Sequence, residues 1–380
     1  MDLIADFSGG IGAFLSYAVP FLFVLTVIVF FHELGHFLVA RWCGVRVEVF
    51  SVGFGPEIFG YTDRRGTRWK FSWVPLGGYV KFFGDEGVAS TPDRDGLREL
   101  DSRSIEESFH HKPVGKRAAV VAAGPIANFI LAIVIFALIF MFVGRHVTTA
   151  RVDDIQAGSA AEAAGFMIGD VVKRIDGEAI ESFSEMQRIV SISAGETLQI
   201  EVERDGKLVT LTAVPKEQEI TDRFGNTHRV GLLGITRNFE GDVTVERYGP
   251  LTALWMGVEE TWFVVDRTMV YLYGVVMGYQ AADQLGGPLR IAQVSGQVAT
   301  VSLTALVNLA AVLSVSIGLI NLFPIPMLDG GHLLYYLIEA IRGKPLSETV
   351  QDIGFRLGLA LVLMLTLFAT WNDLVHLEIF

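Results

Sequence analysis

The chain has 380 residues, 51% of them hydrophobic and 19% charged, with a net charge of −12 and a single cysteine. That apolar content points away from an ordinary soluble protein and toward a membrane protein. The acidic balance argues against a general nucleic-acid role, and one cysteine rules out an internal disulfide. A spanning helix needs about 20 apolar residues. Four stretches qualify: 14–31, 118–143, 301–323 and the shorter 353–371, which has Arg356 near its start. The first is preceded by Asp2 and Asp6 with no basic residue, and no small-residue cleavage site follows it. It is therefore expected to stay as an anchor (domain 1–43) and not to be removed as a signal peptide.

The first span ends in "HELGH", residues 32–36. On a helix His32 and His36 are i and i+4, so they project from one face and can share a metal, while Glu33 can act on a metal-bound water. This is a metalloprotease pattern, in which zinc acidifies its water and a carboxylate takes the proton. Ionisable groups at membrane depth are costly and mark function. A catalytic zinc takes a third protein ligand. The candidate is Asp329, where Pro324 and Pro326 break the third long span (301–331) and Gly330 and Gly331 permit close packing; His332 is the competitor, read as lying behind the ligands or at the interface.

Between these lie a loop at 44–117, the second span (118–144) with Asn128 inside it, and a polar insert at 145–247. In the loop, 67–82 reads as a strand, a Pro-Leu-Gly-Gly turn and a second short strand. Asn128 could hydrogen-bond across helices, though packing explains it equally well. In the insert, 147–215 reads as strand, helix and a hairpin turning at Asp205-Gly206; residues 216–247 are expected to complete the outer domain, with no firm account of their elements. Segment 251–279, within 248–300, carries Glu259, Glu260, Asp266 and Arg267 within roughly 120° of one another, which suits an interfacial amphipathic helix better than a span. His110, His111, His146, His228 and His376 read as solvated surface residues.

Basic residues gather on cytoplasmic ends of spans. Arg41 and Arg46 follow the first span, Lys112, Lys116 and Arg117 precede the second, and Arg342, Lys344 and Arg356 precede the last, whereas Asp2, Asp6, Asp373 and Glu378 flank the ends. Both termini and the insert are thus placed outside, with 41–117 and the loop 332–352 in the cytoplasm and the fourth span at 353–373. Parity agrees: with four spans Asp329 emerges on the side of His32 and His36.

Several motifs in order, "HELGH" (32–36), "VPLGGYVKF" (74–82), "GPIANF" (124–129), "GGPLRIAQVSG" (286–296) and "NLFPIPMLDGGHLL" (321–334), resemble the site-2 protease family of intramembrane zinc metalloproteases, in particular its bacterial RseP-like group. The resemblance implies a polytopic α-helical membrane protein with a membrane-reentrant β-hairpin on the cytoplasmic side and one inserted PDZ domain. It implies Zn2+ held by His32, His36 and Asp329, Glu33 as catalytic base, and Asn321 on the substrate backbone. The hairpin residues Trp73, Pro75, Gly77, Gly78 and Tyr79 would meet an unwound substrate at a strand edge. The implied work is regulated intramembrane proteolysis of single-span proteins, such as a pre-trimmed anti-sigma factor or remnant signal peptides, in a bacterial inner membrane with the PDZ domain in the periplasm, where it either takes a peptide or C-terminus or acts as a size filter over the active site. Two other readings compete. A silent PDZ scaffold has no need of Glu33, and a metal transporter would spread its polar residues through several spans.

Overall fold

A computed structural model describes residues 2–85, 87, 102–221, 227–237, 244–278 and 286–376. Its contacts divide the chain into two units, Met1–Ile139 with Pro250–Phe380, and Phe140–Gly249. Among the described residues four helices are long and apolar enough to cross a membrane: Leu15–Trp42, Val114–Val143, Leu303–Asn321 and Glu348–Val375.

In the first unit, helix α1 (Asp2–Trp42) carries the His32–His36 turn within it. It ends where Gly44 adopts a left-handed φ of 74°, with Val45 N–H returning to the Ala40 carbonyl at 2.9 Å; only glycine takes that conformation without strain. Two long strands follow, β1 (Val47–Thr62) and β2 (Arg68–Phe82). The expected hairpin within 67–82 is corrected here. The two halves of β2 do not pair with each other but flank β1: Phe50 pairs with both Trp69 and Val80, Ser51 with Lys70 and Tyr79, and Val52 with Phe71 and Gly78. Between the halves Val74 pairs with Phe54, and Gly77, at φ 110°, leaves room for the Phe54 ring, which a Cβ would meet at 2.6 Å. A core of Phe37, Phe50, Val80, Phe82 and Val120 joins the sheet to the helices. The β1–β2 turn is organised by Asp63, which accepts from the Arg65 and Thr67 amides at 2.9 and 3.0 Å and pairs with Arg41 at the end of α1. Burial would raise this carboxyl, but these bonds and that from Trp69 hold it down at about 2.

Beyond the sheet come α2 (Ser102–Glu107) and the apolar α3 (Val114–Leu138). His110 is not a solvated histidine: its Nε2 lies 2.8 Å from Oδ1 of Asp85, whose side chain is fully buried and also accepts from the Phe82 amide at 3.0 Å. After the second unit come α6 (Pro250–Val276), α7 (Pro288–Val301), α8 (Leu303–Asn321), α9 (Asp329–Arg342) and α10 (Glu348–His376). Helix α6 crosses α3 at Gly257, where a Cβ would lie 2.6 Å from the Ile133 carbonyl oxygen. Residues 332–342, expected in a loop, are helical: "HLLYYLIEAIR" is amphipathic and too short to stand out as a span, and Arg117 of α3 pairs with its Glu339 at 2.5 Å.

Asp373, one of the acidic residues flanking the ends of the chain, is 1% exposed. Its carboxylate accepts from the main-chain N–H groups of Gly287, Leu289 and Arg290 at 2.8, 3.0 and 3.1 Å, capping the start of α7. The positive end of a helix and three amides without intrahelical partners favour a carboxylate there. Asp373→Ala is expected to cost about 2 to 3 kcal/mol, since it strands buried N–H groups; a thermal melt of the purified protein checks it.

The second unit holds a four-stranded antiparallel sheet, order β6-β5-β7-β8, built from β5 (Val171–Ile175), β6 (Glu178–Ala179), β7 (Leu198–Arg204) and β8 (Lys207–Ala213). Two helices, α4 (Ala160–Ala164) and α5 (Phe183–Ile192), are capped by Ser159 and Ser182 accepting from amides three residues on. The β7–β8 hairpin turns at Asp205 and Gly206, φ 49° and 74°, the pair of positive values a two-residue type I′ turn requires. The body continues past 215. Leu233 is 3% exposed in its core with Val172, Ile200 and Val202; β3 (Arg145–Val147) precedes β4 (Asp154–Ile155), β9 (Lys216–Thr221) pairs with β10 (Thr227–Leu232), and β11 (Ile235–Thr236) pairs with β4.

Candidate metal centre

His32 and His36 stand one turn apart on α1, their Nε2 atoms 3.2 Å from each other. They face α3, which comes close because Gly35 has no side chain; a Cβ there would be 2.2 Å from the Ala123 carbonyl oxygen. Gly124 on α3 lies under both rings, and its Cβ would be 2.3 Å from His36 Nε2 and 2.9 Å from His32 Cε1. One turn before it, the Val120 carbonyl accepts from His36 Nδ1 at 2.9 Å. That bond places the ring proton on Nδ1 and leaves Nε2 with its lone pair.

Asp329 is the first residue of α9. The segment 322–328 folds back tightly on α9: Cβ atoms at Gly330 and Gly331 would lie 2.2 Å from the Leu322 and 2.4 Å from the Ile325 carbonyl oxygens. Met327 in this segment takes φ 87°, a strained value for a non-glycine residue of the kind that clusters at functional sites. Asp329 Oδ2 lies 3.2 Å from His32 Nε2 and 3.6 Å from His36 Nε2. One ligand atom from each of the three residues falls within 4.8 Å of the others. Oδ2 is buried and accepts no hydrogen bond. Two imidazole lone pairs and an unpartnered carboxylate oxygen converging on one point fit a divalent cation with borderline ligand preferences.

Around the three residues is a cavity lined also by Glu33, Gly78, Tyr79, Val80, Asn321, Met327, His332 and Tyr336. The structure thus brings together His32, Glu33, His36, Gly78, Tyr79, Asn321 and Asp329. It does not bring Trp73, Pro75 or Gly77 to the cavity; Trp73 is 69% exposed. His332 lines the cavity but is not one of the converging three; burial lowers its pKa, so the ring is neutral. Burial pushes the Tyr336 phenol up to about 12, which keeps it a hydrogen-bond donor. Sequence reasoning missed Val80, Met327 and Tyr336 as lining residues; for Tyr336 the available signal was its i+4 spacing from His332.

Paired histidines, an opposed aspartate and an adjoining glutamate among long apolar helices define a metallopeptidase type of centre. Residues 20–365 match Peptidase family M50, and the chain belongs to this family, the site-2 type of metalloprotease. It is 51% identical over 362 residues to a protein of Rhizobium meliloti with a provisional zinc metalloprotease name, covering 95% of this chain and 97% of that one. It is 42% identical over 390 residues to metalloprotease MmpA of Caulobacter vibrioides, covering 97% of each. Among solved structures it is similar to the PDZ domain of an SdrC-like protein from Listeria monocytogenes, at 22% identity and a TM-score of 0.18 over 24% of this chain and 87% of that one.

Proposed function

We propose that this protein is an intramembrane zinc endopeptidase that cuts single-span membrane proteins within or near the bilayer, with zinc held by His32, His36 and Asp329. The observation that carries the reading is the convergence of those three residues beside Glu33 inside a bundle of apolar helices. Zinc, when bound, supplies a Lewis acid for the scissile carbonyl and acidifies water. Glu33 takes the proton of the attacking water and returns it to the leaving amine.

A helical peptide bond is shielded by its own hydrogen bonds, so the substrate must be extended before it is cut. Residues 78–82 suit that task. They pair with β1 along one edge, have no partner strand on the other among the described residues, and line the cavity through Gly78, Tyr79, Val80 and Phe82. An extended substrate adds to that edge, with Asn321 meeting its backbone near the scissile bond. The exposed side chains of Phe54, Phe59, Trp73 and Leu76 support a sheet that enters the hydrocarbon from the side read as cytoplasmic. Four spans, an inner-membrane location and a periplasmic PDZ domain in the second unit, binding a peptide or C-terminus, complete the reading. Substrates of this kind are pre-trimmed anti-sigma factors and remnant signal peptides.

The test is incubation of detergent-purified protein with single-span substrates, followed by mass spectrometry of the products. Cuts within the span that stop under a chelator and return with zinc are expected. Cleavage indifferent to the chelator would overturn the reading, and a zinc-loaded protein that cuts none of the substrates would favour a PDZ scaffold.

A further inference from the structure

We infer that Asn128 of α3 is a positioning residue that fixes the ring proton of His32 on Nδ1 and so presents Nε2 to the metal; this rests on the metal reading proposed above. A ligating imidazole needs its other nitrogen bonded to an acceptor, which sets the tautomer and the ring's orientation. For His36 the Val120 carbonyl fills that role. For His32 the atom in that place is the side-chain amide of Asn128, 3.3 Å from Nδ1. With Nε2 on a metal, Nδ1 carries the proton, so the amide atom facing it must be the oxygen; amide oxygen and nitrogen are exchanged by a half-turn about one bond.

Two further observations set Asn128 apart from a packing residue. It is 0% exposed, yet its Oδ1 has no hydrogen-bond partner as placed, an arrangement costly enough that buried amides normally avoid it. It is also held from behind by α8. Ser314 Oγ donates to its main-chain carbonyl at 2.9 Å, and Gly318 sits so close that a Cβ there would be 3.2 Å from the Asn128 Cβ. Residues 120, 124 and 128 thus form one ridge of α3, spaced one turn apart. The first orients His36, the second clears both rings, and the third orients His32. This assigns a task to the "GPIANF" segment that neither packing nor helix propensity requires.

The experiment compares zinc dissociation constants, by competition with a chromophoric chelator, for purified wild type, Asn128→Leu and Asn128→Asp, with a melting curve for each. Asn128→Leu keeps the branched shape but offers no acceptor, and is expected to weaken zinc binding by about 10- to 100-fold. Asn128→Asp offers a carboxylate to Nδ1–H and is expected to restore binding. Wild type that does not hold zinc overturns the metal reading and this one with it. Wild type that holds zinc while Asn128→Leu holds it as tightly overturns this one alone. Equal weakening in both variants, tracking a lowered melting temperature, also overturns it, because a residue that only fills space has no reason to be rescued by a charge.

Discussion

Glu33→Gln is expected to lower the rate of cleavage of a single-span substrate by about 100- to 10,000-fold, the range of a positioned general base, while zinc content and melting temperature stay at wild-type values. Glutamine keeps the shape of the side chain and loses only the ability to take a proton at neutral pH. Glu33 lines the same cavity as the converging residues but is not one of the three, so removing its charge leaves the ligand set intact. The pairing of readouts makes the result decisive. Loss of zinc together with activity would make Glu33 part of the metal's support and not its base. Retained cleavage would mean that another group accepts the proton, and His332, neutral and in the same cavity, would be the first to examine.

The sequence reading went furthest where chemistry and local spacing coincide. "HELGH" needs only a helix to bring His32 and His36 together, and Pro324, Pro326, Gly330 and Gly331 advertise a break in which Asp329 can sit. It failed where a long-range partner decides the outcome. Pro-Leu-Gly-Gly has the composition of a hairpin turn, yet β1 inserts between the two halves of β2, and nothing local in 67–82 announces that strand. Asp373 and His110 look like solvent-facing polar groups until the amides of α7 and the carboxylate of Asp85 are placed against them. Leu233 lies in a segment expected to complete the outer domain but without strong periodicity, so its particular place in the core is visible only once β11 is paired with β4. Residues 120, 124 and 128 had the same difficulty, since their common task appears only with α1 laid against α3.

Gly124→Ala provides the sharpest separation of site from fold. On helix propensity alone, alanine in place of glycine in the interior of α3 is favourable by about 1 kcal/mol. Geometry opposes it: the new methyl would stand 2.3 Å from His36 Nε2, 2.5 Å from His36 Cε1 and 2.9 Å from His32 Cε1, distances that atoms do not tolerate. The rings are the groups that must give, and His36 cannot swing aside without breaking its bond to the Val120 carbonyl. The expected result is zinc affinity reduced by about 100-fold or more, at or beyond the upper end of what loss of a ligand's support costs, and no detectable cleavage. The melting temperature of the metal-free protein should stay near that of metal-free wild type. Gly115→Ala on the same helix is the control, since a Cβ there meets nothing within 4 Å, and it should bind zinc and cleave as wild type does. A Gly124→Ala protein that binds zinc and cleaves normally would show that α3 does not press on the histidines as the structure places it.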